Sequence, residues 1–176
     1  MAGKVALFFC SASFTIDPKF NDAARLYVEA ACRHGYVISS GGTIKGTMKV
    51  VVDTAKVCGA RTLGIIPHFM EQYLHPDLDE VIWTDTMSER KEVMRDKVSV
   101  VVVLPGGVGT LDEFFETLTL AKLGRFDGRM IVCNVNGFYD KLEDMLDYYV
   151  GMDMLDAGTR SLVHFVSGVD EFESMI

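Results

Sequence analysis

The segment SVVVVLPGG, beginning at Ser99, holds five consecutive apolar residues with no polar residue between them. A strand with one face in water alternates in character. An unbroken run is the mark of a strand buried on both faces, as in a parallel sheet covered by helices. Similar runs recur: VALFFC from Val5, YVISSGG from Tyr36, RTLGIIP from Arg61, VIWTD from Val81, RMIVCNVNG from Arg129 and VHFVS from Val163. Amphipathic segments separate them. Phe20, Ala23, Ala24, Tyr27, Val28 and Ala31 repeat at helical spacing until Gly35, and Gly46 to Cys58, SERKEVMRDKV, LDEFFETLTLAKLG and YDKLEDMLDYYVGM also read as helices. HFMEQYLHPDLDE is expected to be a polar connection. The alternation predicts an α/β fold, a Rossmann-like doubly wound parallel sheet with helices on both faces. No repeat, low-complexity stretch or linker divides the chain, so residues 1–176 are expected to form a single domain.

Composition narrows the function. A net charge of −8 argues against non-specific binding to nucleic acid, while leaving room for a local basic pocket. No apolar run has the length needed to cross a bilayer, so no membrane partner is expected. The opening MAGKVALFFCSASF makes a poor signal peptide and reads as a first strand. Cys10, Cys32, Cys58 and Cys133 are far apart in sequence, form no CxxC pair and fit a reducing, cytoplasmic setting. His34, His68, His75 and His164 show no metal-binding spacing, and neither a metal nor a cofactor is expected.

In sheets of this class the ligand sits beyond the carboxyl ends of the strands, which directs attention to residues 10–14, 39–47 and 104–113. Pro105, Gly106, Gly107 and Gly109 allow a tight turn with exposed amides, and the helix behind it adds the positive end of its dipole. This suits a phosphate, although it matches neither GxxxxGK[ST] nor GxGxxG. The same turn also serves a purely structural end. Gly41, Gly42 and Gly46 form a second turn facing the same crevice. Glu113 has two readings: paired with Thr110 it fits a capping box, and beside a bound phosphate it reaches the attached sugar. Upstream, Lys91, Arg95 and Lys97 read as a solvated face with local pairs such as Glu92 with Arg95. Arg90 stands apart by its position at the crevice mouth, where its guanidinium would grip a phosphate or ribose oxygen.

SERK followed by LPGGVGTLDE closely resembles the Arg-Lys pair and the PGGxGTxxE motif of the LOG family, the cytokinin riboside 5′-monophosphate phosphoribohydrolases often labelled lysine decarboxylases. FFCSAS, GIIP, LAKLG and NVNGFYDKL extend the similarity over most of the chain. The resemblance implies a homodimer that hydrolyses the N-glycosidic bond of a nucleoside 5′-monophosphate to a free base and ribose 5-phosphate. It makes Arg90 and Glu113 catalytic. It assigns substrate binding to Lys91, to the loop Gly106, Gly107, Val108, Gly109, Thr110, Leu111 and Asp112, and less directly to Thr119; Glu71 is weaker still. The chain departs from the family at GGTIKGTMK, where Thr43, Thr47 and Lys49 replace two glycines and a leucine of GGGxxGLMG, which bears on the base side of the pocket. Asp112 stands where glutamate is common.

Cleavage at C1′ passes through an oxocarbenium-like state, which a carboxylate near C1′ stabilises. Pyridoxal-phosphate chemistry lacks a Schiff-base lysine here. Two other readings are a non-enzymatic nucleotide or molybdenum-cofactor carrier of the same fold and a dimeric scaffold with a vestigial pocket. The pairing of Arg90 with Glu113 favours the hydrolase over a carrier.

Overall fold

The computed structural model describes residues 3–176. It contains a seven-stranded sheet in the order β4-β3-β2-β1-β5-β6-β7, with every pairing parallel. The strands are β1 (Val5–Phe9), β2 (Val37–Ser40), β3 (Thr62–Pro67), β4 (Glu80–Thr84), β5 (Val100–Val103), β6 (Arg129–Cys133) and β7 (Val163–Val166). The helices between them are α1 (Pro18–Arg33), α2 (Gly46–Val57), α3 (Met87–Met94), α4 (Val108–Lys122), α5 (Asp140–Gly151), α6 (Ala157–Arg160) and α7 (Val169–Glu173). The expected α/β architecture is therefore observed. The segment after β3, expected to be irregular, makes a 3-10 helix over His68–Tyr73, and two short helices, α6 and α7, have no counterpart in the sequence reading. No helix among the described residues is long and apolar enough to cross a membrane.

The unbroken apolar strands serve two cores at once, because successive side chains point to opposite faces. Ala6, Phe8, Val100 and Val102 join α1, α2 and α7 on one side of the sheet. Leu7, Phe9, Val101 and Val103 join Met94 of α3, Phe114 and Leu118 of α4, and Leu142 and Leu146 of α5 on the other. Phe114 and Leu118 thus face the sheet.

Two features place the loops at the carboxyl edge. Gly46 adopts φ +51°, and a Cβ there would lie 2.6 Å from the Ser13 carbonyl oxygen, so the turn into α2 rests directly on the turn after β1. On the far side, the Tyr139 hydroxyl donates to the Leu104 carbonyl at 2.8 Å, holding the end of β5, where the glycine turn begins, against the start of α5. Replacing Tyr139 by Phe leaves the buried Leu104 carbonyl without this partner. Tyr139→Phe is expected to lower stability by about 1–3 kcal/mol, measured by urea denaturation.

Candidate active site

The strand order reverses between β1 and β5, and a cleft of about 380 Å³ opens at their carboxyl ends. Cys10, Ser11, Ala12 and Ser13 form one wall. Arg90 and Lys91 of α3 and Gly107, Gly109, Thr110, Asp112 and Glu113 of α4 form the other. Gly41 and four methionines, Met48, Met70, Met87 and Met94, line the rest, so an anion-binding end grades into a soft apolar one. A hollow of about 570 Å³ at the opposite edge of the sheet, beside Lys4, Ser99 and Arg129, faces helix carboxyl ends and offers no comparable set of amides.

Helix α4 begins at Val108, three residues before the apolar periodicity becomes legible, and its N-cap is Gly107. No side chain caps it, and its first backbone bond runs from the Leu111 amide to the Gly107 carbonyl at 3.1 Å. The amides ahead of that bond are available to an anion. The start also overturns the capping-box reading: Thr110 and Glu113 lie inside the helix, past the cap. Gly106 lies under Thr110, where a Cβ would meet Thr110 Oγ1 at 2.1 Å.

Glu113 is therefore buried for a reason other than helix capping. Its Oε1 lies 3.4 Å from Arg90 Nη1, with the two side chains only 13% and 7% exposed respectively. Burial pushes the Glu113 carboxyl up to about 7, with Arg90 opposing, and the same burial lowers Arg90, with Glu113 opposing. A 3.4 Å contact is long for a charge-assisted bond, so the pair is loosely engaged and the carboxylate is near its titration point at neutral pH. Arg90 is held from behind by its own Nε, which donates to the Ile65 carbonyl at 2.9 Å. Its other edge rests on Gly41, where a Cβ would stand 2.1 Å from Nη2. Beside the pair, the buried Cys10 thiol is raised by desolvation and then by Glu113, which leaves it neutral.

Other expected residues fall differently. Lys91 lines the cleft with its ammonium bound to Asp112 at 2.9 Å and Glu116 at 2.7 Å, and these bonds raise its pKa. Arg95 reaches across to Glu116 at 3.0 Å instead of pairing with Glu92. Val108 is 84% exposed, Leu111 packs toward the core, and the Thr119 hydroxyl donates to the Phe115 carbonyl at 2.8 Å, outside the cleft of a single chain. Glu71 lies on the exposed 3-10 helix, and its neighbour Met70 lines the cleft instead. Of the divergent turn, Thr43 is buried, Thr47 donates to Asn21 at 2.9 Å and Lys49 pairs with Asp53 at 2.5 Å; none of the three lines the cleft, and Met48 does. The α2 amino terminus is no second phosphate cradle, since the Thr47 amide already donates to the Ser11 carbonyl at 2.9 Å. Ligating atoms of Asp53, His75 and Asp77 lie within 4.8 Å of one another. Both ring nitrogens of His75 are already engaged there, Nε2 with Asp53 at 3.0 Å and Nδ1 with the Asp77 amide at 3.2 Å.

Comparison with known proteins places the chain in a family. The family described as possible lysine decarboxylase matches residues 48–175. The cytokinin riboside 5′-monophosphate phosphoribohydrolase of Mycobacterium tuberculosis is 37% identical over 152 residues, covering 85% of this chain and 78% of that protein. The enzyme of the same name, LOG2, from Arabidopsis thaliana is 29% identical over 157 residues, covering 88% and 74%. Among solved structures, the molybdenum cofactor binding protein of Rippkaea orientalis superposes with a TM-score of 0.75 over 99% of this chain and 96% of its own, at 20% identity. The molybdenum cofactor carrier protein of Chlamydomonas reinhardtii gives 0.75 over 98% and 95%, at 19% identity. Those structures share the fold alone, whereas the family model and the sequence relatives each match most of the chain, and the chain belongs to the LOG family.

Proposed function

We propose that this chain, acting as one nucleotide-binding unit over residues 1–176, hydrolyses the N-glycosidic bond of a nucleoside 5′-monophosphate, AMP or an N6-prenylated AMP, releasing the base and ribose 5-phosphate. One observation carries the reading: Glu113 is buried without a capping role, beside Arg90 and one helical turn from the uncapped start of α4. The α4 amides bind the 5′-phosphate and bring C1′ toward Glu113. As the base departs, the Glu113 carboxylate stabilises positive charge on the sugar and takes a proton from the attacking water. Arg90 supplies fixed positive charge near the phosphate and the ribose; a guanidinium stays protonated and passes on no proton. The methionine-lined end receives the base, where an apolar N6 substituent would be at home. Lys91 joins substrate binding by exchanging one of its carboxylate partners for a phosphate oxygen.

The homodimer belongs to the same proposal. Phe14, Phe69 and Val108 are 71%, 63% and 84% exposed, and each neighbours a cleft-lining residue in sequence. A second copy covering this rim would shield them and close the cleft. A carrier protein's task gives no use to a buried carboxylate titrating near neutrality, so the likeness to molybdenum-cofactor carriers is taken as one of fold.

Four outcomes are expected. Glu113→Gln lowers the release of ribose 5-phosphate from AMP or isopentenyl-AMP by roughly 10²-fold or more while the nucleotide still binds; unchanged turnover removes Glu113 from the chemistry. The kcat/KM profile of the wild type rises with pH through about 7, because the carboxylate is the working form. The sign for stability is the reverse: the raised Glu113 pKa contributes stability that is complete below about 4.5 and lost as the pH rises through about 7. Gly41→Ala displaces the flexible end of Arg90 without breaking the backbone and lowers kcat/KM by about 10²-fold, with a melting temperature close to wild type.

A further inference from the structure

Cys32 and Cys58 are distant in sequence and adjacent in space. Helices α1 and α2 follow successive parallel strands, lie on the same side of the sheet and pack against each other, so their carboxyl ends are neighbours. Cys32 is the next-to-last residue of α1 and Cys58 is the C-cap of α2. Cys32 and Ala60, the latter just beyond the Gly59 turn that follows Cys58, both pack against the same core cluster. The two thiols are close enough there for Cys58 to act directly on Cys32. Both are free thiols, Cys58 exposed and Cys32 half-buried. Their end of the helices is the end remote from the cleft, which receives Ser11 to Ser13 and Met48 from the opposite ends.

We propose that Cys32 and Cys58 are a redox modification site, a thiol pair that a peroxide or a small-molecule disulfide converts to a reversible disulfide, stapling the carboxyl ends of α1 and α2. The exposed Cys58 meets the oxidant first. With hydrogen peroxide, its thiolate takes one oxygen to become a sulfenic acid and water leaves; the Cys32 sulfur then attacks the Cys58 sulfur and expels the hydroxyl as a second water. Two thiols lose two protons and two electrons, and one peroxide becomes two waters. Cys32 is half-buried, so a solvent oxidant reaches the exposed Cys58 first and Cys32 is its resolving partner. Cys10 and Cys133 are buried apart from this pair.

The test treats the full chain with hydrogen peroxide or oxidised glutathione and follows intact mass, linked peptides and melting temperature. The expected product is a monomer lighter by two hydrogen atoms, with one peptide pair joining Cys32 to Cys58, a melting temperature several degrees higher, and full reversal by dithiothreitol. Cys32→Ser and Cys58→Ser should each fail to lose the two hydrogens, and neither Cys10 nor Cys133 should appear in a linked peptide. The proposal is overturned if Cys58 accumulates only a glutathione adduct or sulfinic acid while Cys32 still reacts with an alkylating agent in the oxidised protein, or if the linked peptide joins two chains.

Discussion

A sheet whose strands are apolar on both faces leaves the chain no surface on which to place polar chemistry except its two edges, and the parallel direction of the strands makes those edges unlike. At the carboxyl edge the strands hand over to helix amino termini. Between β1 and β5 the connections diverge to opposite sides, so two such turns part and leave a cleft. The arrangement of this site follows from that divergence: Cys10 to Ser13 arrive from one strand, Gly107 to Glu113 from the other, and Arg90 from the crossover that links the two halves.

Within that cleft the Arg90–Glu113 pair is held under electrostatic conditions that packing alone would not select. Taking two charges out of water costs several kcal/mol for each, and a single contact at 3.4 Å recovers only part of that. The Ile65 carbonyl compensates the arginine from behind, and the glutamate responds by holding its proton to a higher pH. A protein under selection for stability alone would place an apolar pair here. The retained strain of a half-neutralised carboxylate is what gives the site a group able to change charge near neutral pH.

The strands were legible because runs such as Val100 to Leu104 have no other economical home, and α1 was legible because sixteen residues give its period room to show. Helices of four and five residues, α6 and α7, are shorter than any period that periodicity can register. The start of α4 was read too late because a glycine N-cap carries none of the side-chain signals that mark a helix start. Arg90 and Glu113 were identified through motif spacing, but their burial depends on Gly41 and Ile65, which come from other strands. The roles of Tyr139 and Gly41 are likewise properties of tertiary contact, and the closeness of Cys32 to Cys58 is a property of two parallel crossovers.

The ion pairs between α3 and α4 have a mechanical consequence. Lys91 grips both Asp112 and Glu116, and Arg95 grips Glu116 again from the next turn, so the two helices carrying Arg90 and Glu113 are cross-braced beside that pair. The wall formed by α3 and α4 is braced by these ion pairs, while the opposite wall, the Ser11 to Asp17 turn, has short hydrogen bonds within itself and one backbone bond from the Thr47 amide to the Ser11 carbonyl, and carries an exposed Phe14. The bracing therefore concentrates rigidity in the wall that carries Arg90 and Glu113 and leaves the turn after β1 as the less cross-linked side of the cleft.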